Sequence, residues 1–113
     1  MKLLALLSFL FLFVNSFAQK ILSKEIQIKT ALLAAPPEEQ AQATILGYDQ
    51  SGTLVTLRKG NGNLICLCDN PEKKGIEVDC YSVKLEPFMA RGRELVAEGK
   101  SEGQKREIRK KEV

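Results

Sequence analysis

The chain contains no histidine and no tryptophan, and only two tyrosines and five phenylalanines in 113 residues. Without an imidazole there is no His-based acid–base catalysis and no imidazole-containing catalytic triad, and the common zinc and haem ligand sets are excluded as well. Aromatics are scarcer than the total suggests, because Phe9, Phe11, Phe13 and Phe17 all fall in the first 18 residues. That segment also holds 14 of the 50 apolar residues, leaving 36 in the remaining 95, with Tyr48, Tyr81 and Phe88 as their aromatics. Such a remainder supports one small domain and is too short and too polar for two.

What the N-terminus does have is a long apolar run. Met1-Lys2 carries one positive charge, and Leu3 to Val14 is broken only by Ser8. Asn15-Ser16-Phe17-Ala18 follows, a polar break ending in small residues. This three-part pattern predicts a secretory signal peptide over residues 1–18, cleaved after Ala18. A membrane anchor is the alternative, but twelve helical residues span about 18 Å against a hydrocarbon core of about 30 Å. The expected destination is the periplasm or the extracellular space, with no transmembrane segment left after cleavage. Cleavage leaves 16 basic against 14 acidic side chains, a formal +2. Residues 91–113 carry the excess, with eight basic and five acidic groups.

Along the mature chain the pattern predicts an α+β domain over residues 19–99. Residues 20–35 read as an N-terminal helix capped by Ser23 and stopped by Pro36-Pro37, although the Ile26/Ile28 alternation also permits a short strand. Four short runs follow at 43–48, 53–58, 64–68 and 76–81, separated by Asp49-Gln50-Ser51-Gly52, Lys59-Gly60-Asn61-Gly62-Asn63 and a polar loop over 69–75. Turn residues at this spacing predict a four-stranded antiparallel meander. Leu85, Phe88, Met89, Gly92, Leu95 and Val96 then recur at helical spacing. They predict a C-terminal helix over 83–99 that covers one sheet face, anchored by Phe88 and Met89, with Gly92 against a strand. Residues 100–113 hold only Ile108 and Val113 as apolar groups and read as a charged helix extension or a disordered tail.

Cys66, Cys68 and Cys80 are the residues closest to chemistry. Strand alternation puts Cys66 and Cys68 on one face and Ile76, Val78 and Cys80 on one face, opposite Glu77, Asp79 and Tyr81. A hairpin of the two strands pairs Cys66 with Cys80 as a disulfide closing a 15-residue loop, and Cys68 remains as a possible free thiol. That thiol would be a buried inert group, a link to a protein partner or to a second copy, or a redox partner of the Cys66–Cys80 pair. C-x-C is not the helix-borne C-x-x-C of oxidoreductases, and a three-sulfur site with Met89 would suit only a soft ion such as Cu(I). Glu77 and Asp79 share a strand face, where a solvated surface is the ordinary role and a carboxylate pair for acid–base work the special one. Gly60-Asn61-Gly62 lacks the Lys-Ser/Thr of a phosphate loop and reads as a turn. Lys105, Arg106, Arg109, Lys110 and Lys111 alternate with Glu102, Glu107 and Glu112, so Glu102–Arg106 and Glu107–Lys111 pairing on a solvated helix is expected in place of nucleic-acid binding. No catalytic, cofactor-binding or metal-binding residues are predicted.

Residues about 30–100 resemble a group of exported bacterial proteins of unknown function. The resemblance runs through Ala34-Ala35-Pro36-Pro37-Glu38, Ala43-Thr44-Ile45-Leu46, Leu57-Arg58-Lys59-Gly60-Asn61-Gly62, Leu64-Ile65-Cys66-Leu67 and Cys80-Tyr81. It is most specific in Leu85-Glu86-Pro87-Phe88-Met89-Ala90-Arg91-Gly92-Arg93-Glu94-Leu95. In that pattern cysteines matching Cys66 and Cys80 recur without one matching Cys68, which implies the 66–80 staple. Members continue past this helix into a Pro- and Gly-rich region, so the resemblance implies that this chain is a truncated member. It carries over no activity, substrate or site. The resulting expectation is a non-enzymatic exported binding or structural domain. The alternatives are a thiol-active protein using Cys68 against Cys66–Cys80, and electrostatic attachment through the basic tail.

Overall fold

The computed structural model describes residues 20–113, so the signal peptide expected over residues 1–18 lies outside the described residues. Helix α1 spans Lys24–Leu32, where the Ser23 hydroxyl accepts the Ile26 N–H and closes the first turn. Its buried face is unusual, carrying Gln27 and Ala31 in place of large apolar groups. A one-turn helix, α2, follows at Pro37–Gln40. Gln40 folds back and donates to the carbonyls of Leu32 and Ala35, at 3.0 and 3.1 Å, closing the open C-terminal end of α1.

Four strands form one sheet: β1 (Thr44–Tyr48), β2 (Leu54–Arg58), β3 (Leu64–Leu67) and β4 (Asp79–Ser82). Their order is β2-β1-β3-β4, with β1 and β3 parallel and the other two pairs antiparallel. The sheet is therefore mixed, and the expected antiparallel meander is corrected. The first turn behaves as an ordinary hairpin: Asp49 Oδ1 accepts from the Ser51 and Thr53 amides, and Gly52 sits at φ +80°.

The second connection is where the expectation fails. Residues 59–63 leave β2, pass beneath the entry to β1, and deliver β3 to its far side. Two strand spacings are about 9.6 Å, within reach of five residues at roughly 3.3 Å each. Gly60 and Gly62 make the crossing possible by their lack of a side chain. A Cβ on Gly60 would lie 2.0 Å from the Gln42 carbonyl oxygen, and one on Gly62 would lie 2.8 Å from the Gln42 Cβ. The Gly62 N–H donates to Gln42 O at 2.8 Å, and the Gly60 N–H donates to Thr44 Oγ1 at 3.0 Å. The Arg58 guanidinium, at the end of β2, donates to the carbonyls of Gln40 and Ala43. The backbone entering β1 is thus held by the last residue of β2 and by the crossing loop together.

The core lies between α1 and the sheet and consists of Ala31, Ala35, Ala43, Ile45, Cys66 and Cys68, flanked by Ile28, Leu32, Leu57, Leu64 and Cys80. Most of these side chains are small, so each contributes little transfer free energy. Close approach is the compensation. Gly47 is buried, and a Cβ there would sit 2.4 Å from Leu57, 2.7 Å from Gln27 and 2.9 Å from Cys68.

The C-terminal part also differs from the expectation. A 3-10 turn at Val83–Leu85 leads into α3 (Glu86–Ala97), with Pro87 in its first turn. The helix that lies across the core face of the sheet is α1, and α3 packs chiefly against α4 (Glu102–Glu112). Phe88, expected as an anchor on the sheet, is 46% exposed and has the Arg109 guanidinium stacked 4.1 Å from its ring centre. Gly92 accommodates Arg109 as well, not a strand: a Cβ there would lie 2.8 Å from Nη1. Leu95, one turn further along that face, is 1% exposed and lies outside the sheet's core cluster. Gly99 at φ +81° ends α3, and Ser101 with Gln104 makes a capping box that starts α4. Residues 102–112 are thus an ordered helix folded back on α3. Finally, β4 begins at Asp79 rather than at 76, and Ile76 is 80% exposed in the preceding loop.

Candidate functional site

The three cysteines meet where α1 crosses β3. Cys66 and Cys80 occupy directly opposed positions of the antiparallel β3–β4 pair, and their sulfurs are 2.06 Å apart, at disulfide distance. Cys68 lies two residues on, buried, and its thiol donates to the Gln27 carbonyl at 3.5 Å. Burial, and secondarily the Asp69 carboxylate, push the Cys68 thiol up to about 11. At neutral pH on the order of one molecule in ten thousand then holds a thiolate, the form that attacks disulfides and binds metal. The geometry brings the three sulfurs into one neighbourhood and withholds the reactive form. With Cys66 and Cys80 at disulfide distance, Cys68 is the single thiol left, so the three-sulfur set considered with Met89 is not assembled.

Gln27 is the residue that sequence reasoning missed. Its carboxamide donates to Leu22 O and Tyr48 O and accepts from Tyr48 N–H, each at 2.9 Å. It continues the β1 ladder by one rung from the helix above and ties the segment before α1 to the sheet. The available signal was positional: residues 27 and 31 are four apart, so a polar side chain shares a face with a core alanine.

Between the N-terminal end of α1 and the loop over residues 69–78 lies a cleft of about 370 Å3. Ile21, Leu22, Pro71 and Ile76 supply its apolar walls, and the buried Gln27 and Cys68 lie at its base. Leu22 and Ile76 are both large apolar side chains left mostly in water. The loop is held by Asp69, whose Oδ1 accepts the Glu77 N–H at 2.8 Å, and it turns at Gly75 with φ +82°. Lys20, Thr30 and Asp69 bring polar groups to the same cleft. The Thr30 hydroxyl gives its hydrogen to Ile26 O and keeps acceptor capacity.

The remaining candidates are placed elsewhere. Glu77 and Asp79 are exposed and border a shallow depression of about 110 Å3 beside Tyr48 and Lys73. The Gly60 and Gly62 amides are committed to Thr44 and Gln42, so no amide cradle for a phosphate forms. In the tail, ion pairs join Glu102 to Lys105 and Glu107 to Lys110, three residues apart instead of the expected four, and Glu112 to Arg91. A further linkage ties β4 to α3: Glu86 accepts from Tyr81 Oη and from Arg93, and Arg93 also donates to Tyr81 Oη. Burial, followed by the Glu86 contact, raises the Tyr81 phenol above its ordinary value. No helix among the described residues is long and apolar enough to cross a membrane. Comparison with protein-family models, with curated proteins and with solved structures finds no match to this chain.

Proposed function

We propose that this chain is a non-enzymatic domain, exported to the periplasm or the extracellular space, that works by binding. The observation that carries this reading is the cleft of about 370 Å3: it has apolar walls, and the groups at its base are Gln27, engaged with backbone, and Cys68, held as a thiol. Its volume falls near the lower end of small-molecule sites, which run from about 300 to 1,000 Å3. Export rests on the pattern of residues 1–18, and a Cys66–Cys80 bridge is the kind of staple that small exported domains use. Membership of the exported bacterial group resembled by residues 30–100 fits the same reading and adds no activity.

The test is the intact mass of the protein recovered from the cells that make it, before and after alkylation. Loss of residues 1–18, one internal bridge, and a Cys68 that alkylates only after unfolding are the expected results. Retention of residues 1–18 contradicts export. A Cys68 that reacts rapidly in the folded protein contradicts inertness and brings back the thiol-active alternative.

A further inference from the structure

Resting on the reading of the cleft as a binding site, we propose its ligand class: a small zwitterion with an apolar side chain, of the free α-amino-acid type. Matching charge selects this class. Lys20 and Asp69 border one cleft with opposite charges, and among the described residues neither takes part in an ion pair. One oxygen of Asp69 is occupied by the Glu77 amide, which fixes the carboxylate in place and leaves the other oxygen free to accept. Thr30 adds an acceptor oxygen, because its hydrogen is spent on Ile26 O. An ammonium therefore has two acceptors, Asp69 and Thr30, and a carboxylate has the Lys20 ammonium.

The walls set the rest of the ligand. Leu22 and Ile76 expose apolar surface toward water, and a ligand side chain lying against them, Ile21 and Pro71 removes that surface from solvent. A purely apolar molecule would leave both charges unanswered, and an ion of one sign would answer only one of them. At about 370 Å3 the space suits a single large side chain with its amino-acid head group. A ligand of roughly a dozen heavy atoms in an open, partly wet cleft implies a Kd on the order of 1 mM.

The experiment uses the exported chain and follows backbone amide shifts of Cys68, Asp69 and Ile76 while L-leucine and L-phenylalanine are added. Binding of both is expected. N-acetyl-phenylalanine, lacking the ammonium, and phenethylamine, lacking the carboxylate, should each bind about threefold to fivefold more weakly. Asp69→Asn keeps an oxygen for the Glu77 amide, so the loop stays folded, and it should abolish the preference for a free amine. Lys20→Gln should reduce the preference for a free carboxylate, the α-amino group at Gln19 being the one other cation that cleavage after Ala18 leaves beside it. If neutral analogues such as phenylacetamide bind as well as phenylalanine, the zwitterion proposal is overturned while the binding cleft stands. If no compound moves these amides, both are overturned.

Discussion

The sheet with α1 and the much shorter α3–α4 hairpin are held by different forces. The first buries a continuous set of mostly small side chains, Ala31, Ala35, Ala43, Cys66 and Cys68 around Ile45, with a crosslink between adjacent strands. The second has Leu95 as its one fully buried large side chain among the described residues, and otherwise relies on the Arg91–Glu112 pair and the Arg109–Phe88 stack. Small side chains pack closely but release little apolar surface, so the sheet depends on backbone fit and on the crosslink. Exposed charges attract weakly in water and are screened by salt, so the hairpin should open before the sheet does.

Breaking the crosslink should have the largest effect. Replacing Cys66 and Cys80 together by alanine removes a 15-residue loop constraint and should cost about 3 kcal/mol in urea unfolding, with the loss confined to the sheet. A destabilisation below about 1 kcal/mol would show that packing alone holds the sheet. The next effect is a pH dependence at Cys68. Its folded thiol titrates near 11, above the unfolded value near 9, so the folded state keeps a proton that the unfolded state loses. Stability is therefore unaffected below pH 9 and falls as pH rises toward 11, by on the order of 2 kcal/mol. Cys68→Ala should flatten that decline, and an unchanged slope in the variant would place its origin elsewhere.

Leu95→Ala should cost about 2 kcal/mol, near the low end for a buried leucine because a two-helix hairpin can close around the gap. The loss should appear as faster hydrogen exchange in α3 and α4 while β1 and β3 keep their protection. Arg109→Gln removes the stacked guanidinium from Phe88 and should cost roughly 0.5–1 kcal/mol, read as a small drop in the helical signal. A larger loss in the sheet than in the hairpin would contradict the division between them.

The same contrast explains what the sequence made legible. The first three strands were marked by turn residues, whereas β4 starts three residues later than expected, and the 66–80 pairing followed from alternation together with the register of a single hairpin, all of them relations between neighbouring segments. Strand order was not local. Gly60-Asn61-Gly62 has the composition of a tight hairpin, but its glycines admit the Gln42 backbone, a neighbour that no local pattern names. The covering helix was misassigned for a related reason. Apolar periodicity is strong in α3 and nearly absent in α1, where alanine and Gln27 form the buried face through closeness and hydrogen bonds instead of bulk. The stripe in α3 was real, but its partner is α4, whose Arg109 lies over Phe88 and against Gly92. The cleft joins residues from 20–30 with residues from 68–76, a juxtaposition that only the fold creates.

Residue-resolved hydrogen exchange of the folded chain, with and without reductant and at low and high salt, tests this division most directly. Reductant should accelerate exchange at Ile45 and Cys66, and high salt should accelerate it only in α3 and α4. Exchange that rises together in both regions under either condition would contradict it.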